Sequence, residues 1–164
     1  MHEKIRLLQA EIQADLGDIE KAYEVLASAS GRMAEGEMGI VVGYYVQVIY
    51  GLFENLFQRI ATAFGNQITD EARWHAQLLR RMTLDVKKVR PCVIGEETYE
   101  CLDELRRFRH LFRNAYVLSF DVERLALVLK KAQRLAQLYG PDLEEFSSFL
   151  DDLAGEETEG LASA

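Results

Sequence analysis

The sequence predicts one all-α domain, a bundle of four to five helices followed by an acidic, flexible C-terminal tail. Apolar residues recur at intervals of three and four over most of the chain, which is the period of one helical face. The 164 residues include only two prolines, and no strand-like alternation or internal repeat interrupts this pattern. The length suits one domain with its own core. We therefore place the helical domain at residues 1–154 and a disordered acidic tail at residues 155–164.

Two long helices are predicted in the first 64 residues. The first covers about residues 2–28, where one face is apolar throughout. A glycine-rich loop at residues 31–39 separates it from the second helix. The second covers about residues 40–64 and is apolar nearly all round, which predicts a helix buried on several sides. Gly65 and Asn66 end it.

The third and fourth helices are predicted on either side of an irregular connection. Thr69 can cap the third helix, which then continues to about residue 82. Pro91 prevents a continuous helix through the connection. The fourth helix covers about residues 96–117. Its buried face is predicted to consist of Cys101, Leu105, Phe108, Phe112 and Ala115.

A fifth helix begins behind Asp121, which can cap its first turn. Gly140 and Pro141 are predicted to end it, because proline removes a helical hydrogen bond. A last short helix at about residues 143–150 follows. The buried face of the fifth helix is predicted to consist of Leu125, Leu129, Ala132, Leu135 and Ala136.

The net charge of -8 is concentrated at the C-terminal end of the chain. No Lys or Arg follows Arg134, whereas eight acidic residues do, so the chain before Asp142 carries as many basic as acidic side chains. The acidic pI therefore does not exclude an RNA-binding face elsewhere on the domain. It does argue against a broadly basic surface.

The two cysteines do not predict a metal site. Cys92 and Cys101 have neither Cys-x-x-Cys spacing nor a nearby pair of histidines, so we expect buried or idle thiols in a reducing compartment. We expect neither a metal nor another cofactor. The N-terminus is charged from its third residue, and the apolar stretch IVVGYYVQVIYGLF is too short to cross a bilayer. We therefore expect a cytoplasmic protein without a membrane partner.

The densest cluster of reactive side chains is RRFRHLFRNAY, residues 106–116. Four of its members, spaced i, i+3, i+4 and i+7, share one stripe of the fourth helix: Arg106, Arg109, His110 and Arg113. Like charges at this spacing repel by roughly a few tenths of a kcal/mol per pair. Either acidic residues from elsewhere neutralise the stripe, or it binds an anion such as a phosphate.

The spacing within this cluster resembles the signature of the HepT-like branch of the HEPN superfamily. That signature is Arg, a polar residue, three variable residues, His, one variable residue and Tyr. Arg109, His110 and Tyr116 match it. Further segments agree with this family in their order and place along the chain: YGLFENLFQRIATAFG, WHAQLLRRM, ETYECLDELRRFRHLFRNAY and FDVERL. The resemblance extends over about residues 1–150.

The resemblance implies a HEPN-like bundle and the toxin component of a bacterial toxin–antitoxin pair. Members are metal-independent endoribonucleases that act as homodimers, with the motif helices facing each other across the two-fold axis. It implies that Arg109 stabilises the charge on the reacting phosphate. We expect Arg106 and Arg113, which share its stripe, to bind RNA. The resemblance further implies that a nucleotidyltransferase antitoxin attaches AMP to Tyr116. The alternative interpretation of Tyr116 is a structural one, a tyrosine at the edge of the core whose hydroxyl group bonds to the backbone.

The chain departs from the signature at Asn114, where the family has its catalytic His. An amide cannot exchange a proton near neutral pH, so Asn114 can orient a phosphate or a water but cannot act as a general base. His110 lies one turn earlier and is our candidate for the proton-transferring group. The alternative hypothesis is a non-catalytic interaction subunit that keeps the dimer and the partner surface. A third, an unrelated binding protein, requires the motif spacing to be coincidental.

The remaining aromatic and histidine residues are interpreted as structural. His75 follows Trp74 and belongs to no reactive spacing, which favours a packing role. Tyr44, Tyr45 and Tyr50 lie on the apolar second helix, where amphipathic core or interface residues explain them best.

Overall fold

The computed structural model describes residues 2–65, 68, 73–113 and 121–162, with side chains described as far as residue 155. The all-α prediction is confirmed, because five helices make up most of this part of the chain and it contains no strand. In chain order the helices are α1 (His2–Ser30), α2 (Met38–Ala63), α3 (Trp74–Arg81), α4 (Glu96–Arg113) and α5 (Val122–Ala162).

Helix α2 is the centre of the bundle and contacts each of the other four helices. It is apolar on several sides, as predicted, and this allows neighbours to cover it from more than one direction. Its most deeply buried side chains are Val42, Val46, Ile49, Phe53, Leu56 and Ile60. The helix ends before Gly65, whose φ of 71° lies in the left-handed region that favours glycine. The predicted end at Gly65 is confirmed, and Asn66 lies outside the described residues.

By length and composition, α2 could also cross a membrane. Helix α2 is longer than the 14-letter stretch considered above. Contrary to our prediction, its length therefore does not exclude a membrane span. Half of the relevant window is buried inside the bundle, and core helices of soluble proteins pass the same test. The property is therefore weak evidence for a membrane span.

Helix α4 approaches α2 closely at Gly43. A Cβ atom at this position would lie 3.0 Å from the ring of Phe112 and 3.4 Å from that of Phe108. Cys101, Leu105 and Phe108 are buried as predicted, and Phe112 is partly buried against the core. Ala115 lies outside the described residues. The close approach brings the arginine-rich half of α4 against the middle of α2.

The connection between α3 and α4 is irregular, as predicted, and is organised around Arg90. This side chain is only 3% exposed. Its guanidinium group donates hydrogen bonds to three backbone carbonyl groups, those of Leu84 at 3.2 Å, Pro91 at 3.0 Å and Arg81 at 3.0 Å. These bonds fold the loop back onto the C-terminal end of α3. The predicted cap Thr69 lies outside the described residues.

The predicted end of the fifth helix at Gly140 and Pro141 is wrong, because α5 continues through Pro141. Proline costs the helix a hydrogen bond, but tertiary packing outweighs that cost when the buried face continues beyond it. Leu143 and Phe146 carry the face onward, and Asp142 accepts a hydrogen bond from the backbone N–H of Gly95 at 2.9 Å. The predicted last short helix is therefore part of α5.

The two ends of α5 also bear on the sequence predictions. Asp121 caps it as predicted, because its Oδ1 accepts a hydrogen bond from the N–H of Glu123 at 3.0 Å. Leu125, Leu129, Ala132 and Leu135 are buried as predicted, whereas Ala136 is exposed. The helix extends to Ala162 and so includes most of the segment predicted to be a disordered tail. The division of the chain after residue 154 stays a prediction.

Candidate functional site

The site begins with a carboxylate in the middle of an apolar helix. Glu54 is the one acidic residue of α2, and it is only 5% exposed. An ionised carboxylate is costly to bury unless it is paired and hydrogen-bonded. Glu54 therefore requires compensating partners from the elements packed around it.

Helix α4 provides the first partner of Glu54. Nη1 of Arg109 lies 2.9 Å from Oε1 of Glu54, and the side chain of Arg109 is 20% exposed. Its guanidinium group also lies over the ring of Tyr50, 5.7 Å from the ring centroid, which is within cation–π range. Arg109, to which the family resemblance gives a role at the reacting phosphate, is thus held in place by two residues of α2.

Helix α3 provides the second partner. Nδ1 of His75 lies 2.6 Å from Oε2 of Glu54. The ring of His75 also stacks on Trp74, with the ring centroids 3.8 Å apart. The predicted packing role is therefore present, but the imidazole makes a polar contact as well. A single carboxylate joins this imidazole to the guanidinium group of Arg109.

Tyr50 provides a third contact from within α2, one turn before Glu54. Its phenol forms a hydrogen bond with the carboxylate of Glu54. Burial raises the pKa of Tyr50, and the negative charge of Glu54 raises it further. The phenol therefore stays protonated and donates its hydrogen bond at neutral pH.

These residues form one side of a cavity of about 520 Å³ between α2, α3 and α4. The residues that line it are Tyr50, Arg73, His75, Ala76, Arg106, Arg109, His110 and Arg113. Two of its four arginines, Arg106 and Arg109, pair with Asp103 and Glu54, and among the described residues no carboxylate lies within ion-pair distance of the other two. This size and charge suit an anionic ligand such as a phosphate group.

Acidic partners account for part of the arginine cluster. Arg106 and Arg107 both bind Asp103 on the same helix, each through an Nη2 atom 2.8 Å from a carboxylate oxygen. Arg106 lines the cavity, whereas Arg107 is 60% exposed and does not. The first predicted fate of the stripe is therefore present in part, because acids pair with Arg106 and Arg109. The stripe also lines an open cavity, and binding of an anion there stays a prediction.

The structure brings four of the six predicted site residues into this cavity: Arg106, Arg109, His110 and Arg113. Asn114 and Tyr116 lie outside the described residues, so their positions stay predictions. Within the described ranges no group of His, Cys, Asp and Glu side chains could hold a metal ion. Cys92 is exposed and Cys101 is buried, both as free thiols, and burial raises the pKa of each.

Sequence reasoning missed Glu54, Tyr50, Arg73 and His75 as members of the site. One signal could have identified Glu54, since it is an isolated acid in a helix that is otherwise apolar at its core. Tyr50 precedes it by four residues and so lies on the same face. No comparable signal exists for Arg73, because its place depends on how α3 packs against α4.

A comparison with protein families agrees with this arrangement. The family of HepT-like proteins matches residues 41–150, more than half of the chain. The match covers the segment from α2 to the middle of α5 and so includes every residue that lines the cavity. Searches of the curated proteins and of the solved structures return no match. The chain belongs to the HepT-like family of the HEPN superfamily.

Proposed function

We propose that this protein is the toxin component of a toxin–antitoxin pair and acts in the cytoplasm as a metal-independent, homodimeric endoribonuclease. The observation that carries the proposal is the arginine-lined cavity, which also contains two histidines. A cleft lined by arginine side chains and by groups able to transfer protons suits the cleavage of a phosphodiester.

The proposed reaction is an attack by the 2′-hydroxyl group of RNA on the adjacent phosphorus atom. Arg109 stabilises the negative charge that develops on the phosphate oxygens, while Arg106 and Arg113 bind the RNA backbone. His110 accepts the proton of the 2′-hydroxyl, because it is an imidazole that lines the same cavity as these arginines. Asn114 contributes only by positioning, since an amide does not transfer protons near neutral pH.

The dimer would place the α4 helices of two protomers against each other. Membership of the HepT-like family supports this arrangement. We expect light scattering at micromolar concentration to give twice the mass of one chain. A monomer under these conditions would contradict the dimeric form of the proposal.

The direct test of the proposal is cleavage of a fluorescent single-stranded RNA by the purified protein. We expect Arg109→Ala to slow cleavage about a hundredfold, the scale on which charge-stabilising groups act. Arg107→Ala is the matched control, because Arg107 lies on the same helix but outside the cavity. Equal loss of activity in both variants would contradict the assigned role of Arg109.

The residue at position 114 separates the proposal from its main alternative, a non-catalytic interaction subunit. Asn114 favours that alternative, because it replaces the family's proton-transferring residue. We expect Asn114→His to raise the rate of cleavage and Asn114→Ala to cost less than His110→Ala. If neither the wild type nor Asn114→His cleaves RNA, the interaction subunit becomes the better account of the chain.

The proposed partner is a small nucleotidyltransferase that attaches AMP to Tyr116. The added phosphate would lie two turns from Arg109 on the same side of the helix if α4 continues that far. It would neutralise cavity arginines and obstruct the RNA. Mass spectrometry after incubation with the partner and ATP should show adenylylation that Tyr116→Phe abolishes. The exposed Tyr44 offers the control, and labelling lost in Tyr44→Phe but kept in Tyr116→Phe contradicts the assignment.

A further inference from the structure

Glu54 and His75 form a carboxylate–imidazole pair in the wall of the cavity. The carboxylate holds Nδ1 of His75 through one oxygen and Nη1 of Arg109 through the other, at 2.6 and 2.9 Å. A phosphate bound by Arg109 would therefore lie close to His75. Because Glu54 engages Nδ1, Nε2 is the ring nitrogen that can act on a ligand in the cavity.

The surroundings of His75 fix the ring without burying it. Its side chain is 41% exposed, whereas that of Glu54 is 6% exposed. Stacking on Trp74 and the contact with Glu54 together restrict rotation of the imidazole. Packing alone does not explain a carboxylate at position 54, since an apolar side chain of similar size would be less costly in the middle of α2. An oriented imidazole beside a charge-stabilising arginine is the arrangement that general acid–base catalysis requires.

We propose that His75 is the general acid of the RNA cleavage reaction and that Glu54 is the residue that positions it. The inference rests on the proposed ribonuclease function and assigns to it a second proton-transferring group. Because Glu54 engages Nδ1 and the ring lines the cavity, the assignment makes Nε2 of His75 the atom that donates a proton. His110, which lines the same cavity, is the acceptor in the proposed reaction.

The protons and electron pairs of this step balance as follows. The proton of the 2′-hydroxyl goes to His110, and the electron pair that it leaves on the oxygen forms the bond to phosphorus. The bond from phosphorus to the 5′-oxygen breaks and leaves its electron pair on that oxygen. The proton on Nε2 of His75 then goes to the 5′-oxygen. The products are a 2′,3′-cyclic phosphate and a 5′-hydroxyl. His110 then releases its proton to water and His75 takes one from water, so both rings return to their starting states.

An RNA whose scissile 5′-oxygen is replaced by sulfur tests this assignment. A thiolate leaves without being protonated, so this substrate does not need a general acid. On ordinary RNA we expect His75→Ala and His75→Gln to be about a hundredfold slower than the wild type, the usual scale for proton transfer. On the sulfur substrate both variants should cleave within about threefold of the wild-type rate, because the missing step is no longer required.

The variants and controls separate catalysis from folding. The amide of His75→Gln can still donate to Glu54 but cannot transfer a proton. Glu54→Gln keeps a hydrogen-bonding group and removes the charge, so we expect a loss of about tenfold on ordinary RNA and recovery on the sulfur substrate. His110→Ala should stay slow on both substrates, because the sulfur atom does not replace a general base. Arg107→Ala should match the wild type on both.

Each outcome bears on a different part of the argument. If His75→Gln is equally slow on both substrates, His75 is structural and the inference is overturned. If His75→Gln cleaves ordinary RNA at the wild-type rate, the inference fails and the proposed function stands. If the wild type cleaves neither substrate, the proposed function fails and the inference falls with it. Recovery of His75→Gln on the sulfur substrate alone supports the assignment.

Discussion

Glu54 and Arg90 are both charged and almost enclosed, with 5% and 3% of their surface exposed, yet they are compensated in opposite ways. Arg90 donates to three backbone carbonyl groups near its own loop. Glu54 is compensated by side chains from three helices, among them Arg109 and His75, and both of these border an open cavity. The first arrangement fixes the backbone, whereas the second leaves the compensating groups within reach of a ligand.

This difference indicates how to separate a structural charge from a functional one. Backbone carbonyl groups cannot turn towards a ligand, so the contacts of Arg90 serve the loop alone. Burial lowers the pKa of Arg90, but a guanidinium group stays charged in proteins. The partners of Glu54 can exchange one anion for another, because a bound phosphate offers Arg109 the same kind of acceptor. Substitutions at the two positions should therefore have different consequences for stability.

The largest effect is expected from Arg90→Met, which removes the donors of three hydrogen bonds to backbone carbonyl groups. Each lost bond costs about 1 kcal/mol, so the free energy of unfolding should fall by about 3 kcal/mol. Urea denaturation measures this change. The exposed Arg124→Met is the control and should change stability by less than about 0.5 kcal/mol. A loss below about 1 kcal/mol for Arg90→Met would show that water replaces the guanidinium group.

A smaller effect is expected from Tyr50→Phe, which removes one hydrogen bond from Glu54. The free energy of unfolding should fall by about 1 kcal/mol near neutral pH. Because the pKa of Tyr50 is raised by folding, the unfolded phenol loses its proton first as the pH rises. The wild type should therefore lose stability above about pH 10, and its advantage over Tyr50→Phe should shrink there. Urea titrations at several pH values measure this, and an advantage that grows at high pH would contradict it.

The smallest change in stability is expected from Glu54→Leu, although this side chain is as enclosed as Arg90. Leucine suits the apolar helix, and two of the three freed partners, Arg109 and His75, can turn towards water because their side chains are 20% and 41% exposed. The third, the phenol of Tyr50, loses its acceptor, and the added apolar burial of leucine offsets this cost. The free energy of unfolding should change by less than about 1 kcal/mol in either direction. Cleavage of RNA should nevertheless be lost. If Glu54→Leu destabilises the protein as much as Arg90→Met, then Glu54 serves the stability of the fold as Arg90 does, and the distinction between the two charges is wrong.

The sequence predicts the helices and one wall of the cavity, because both depend on local spacing. The stripe of Arg106, Arg109, His110 and Arg113 lies on one helix, so its geometry follows from the helical period alone. The opposite wall depends on the packing of α2 and α3, which no local pattern specifies. The same limit explains the error at Pro141. Local propensity predicts a break there, whereas the buried face of α5 outweighs it.

The long acidic helix α5 has a consequence for how an RNA would approach the molecule. Its acidic half begins at Asp142, which contacts Gly95 at the start of α4, whereas the cavity arginines begin at Arg106, roughly 16 Å further along that helix. No basic residue follows Arg134, so the charges are segregated and the protein carries an electric dipole. If RNA binds at the cavity as proposed, we expect the dipole to turn an approaching polyanion towards it before contact. Added salt should then slow the association of RNA with the protein, because it screens this attraction. If the net charge of -8 were evenly distributed, added salt would instead screen the repulsion and make the association faster.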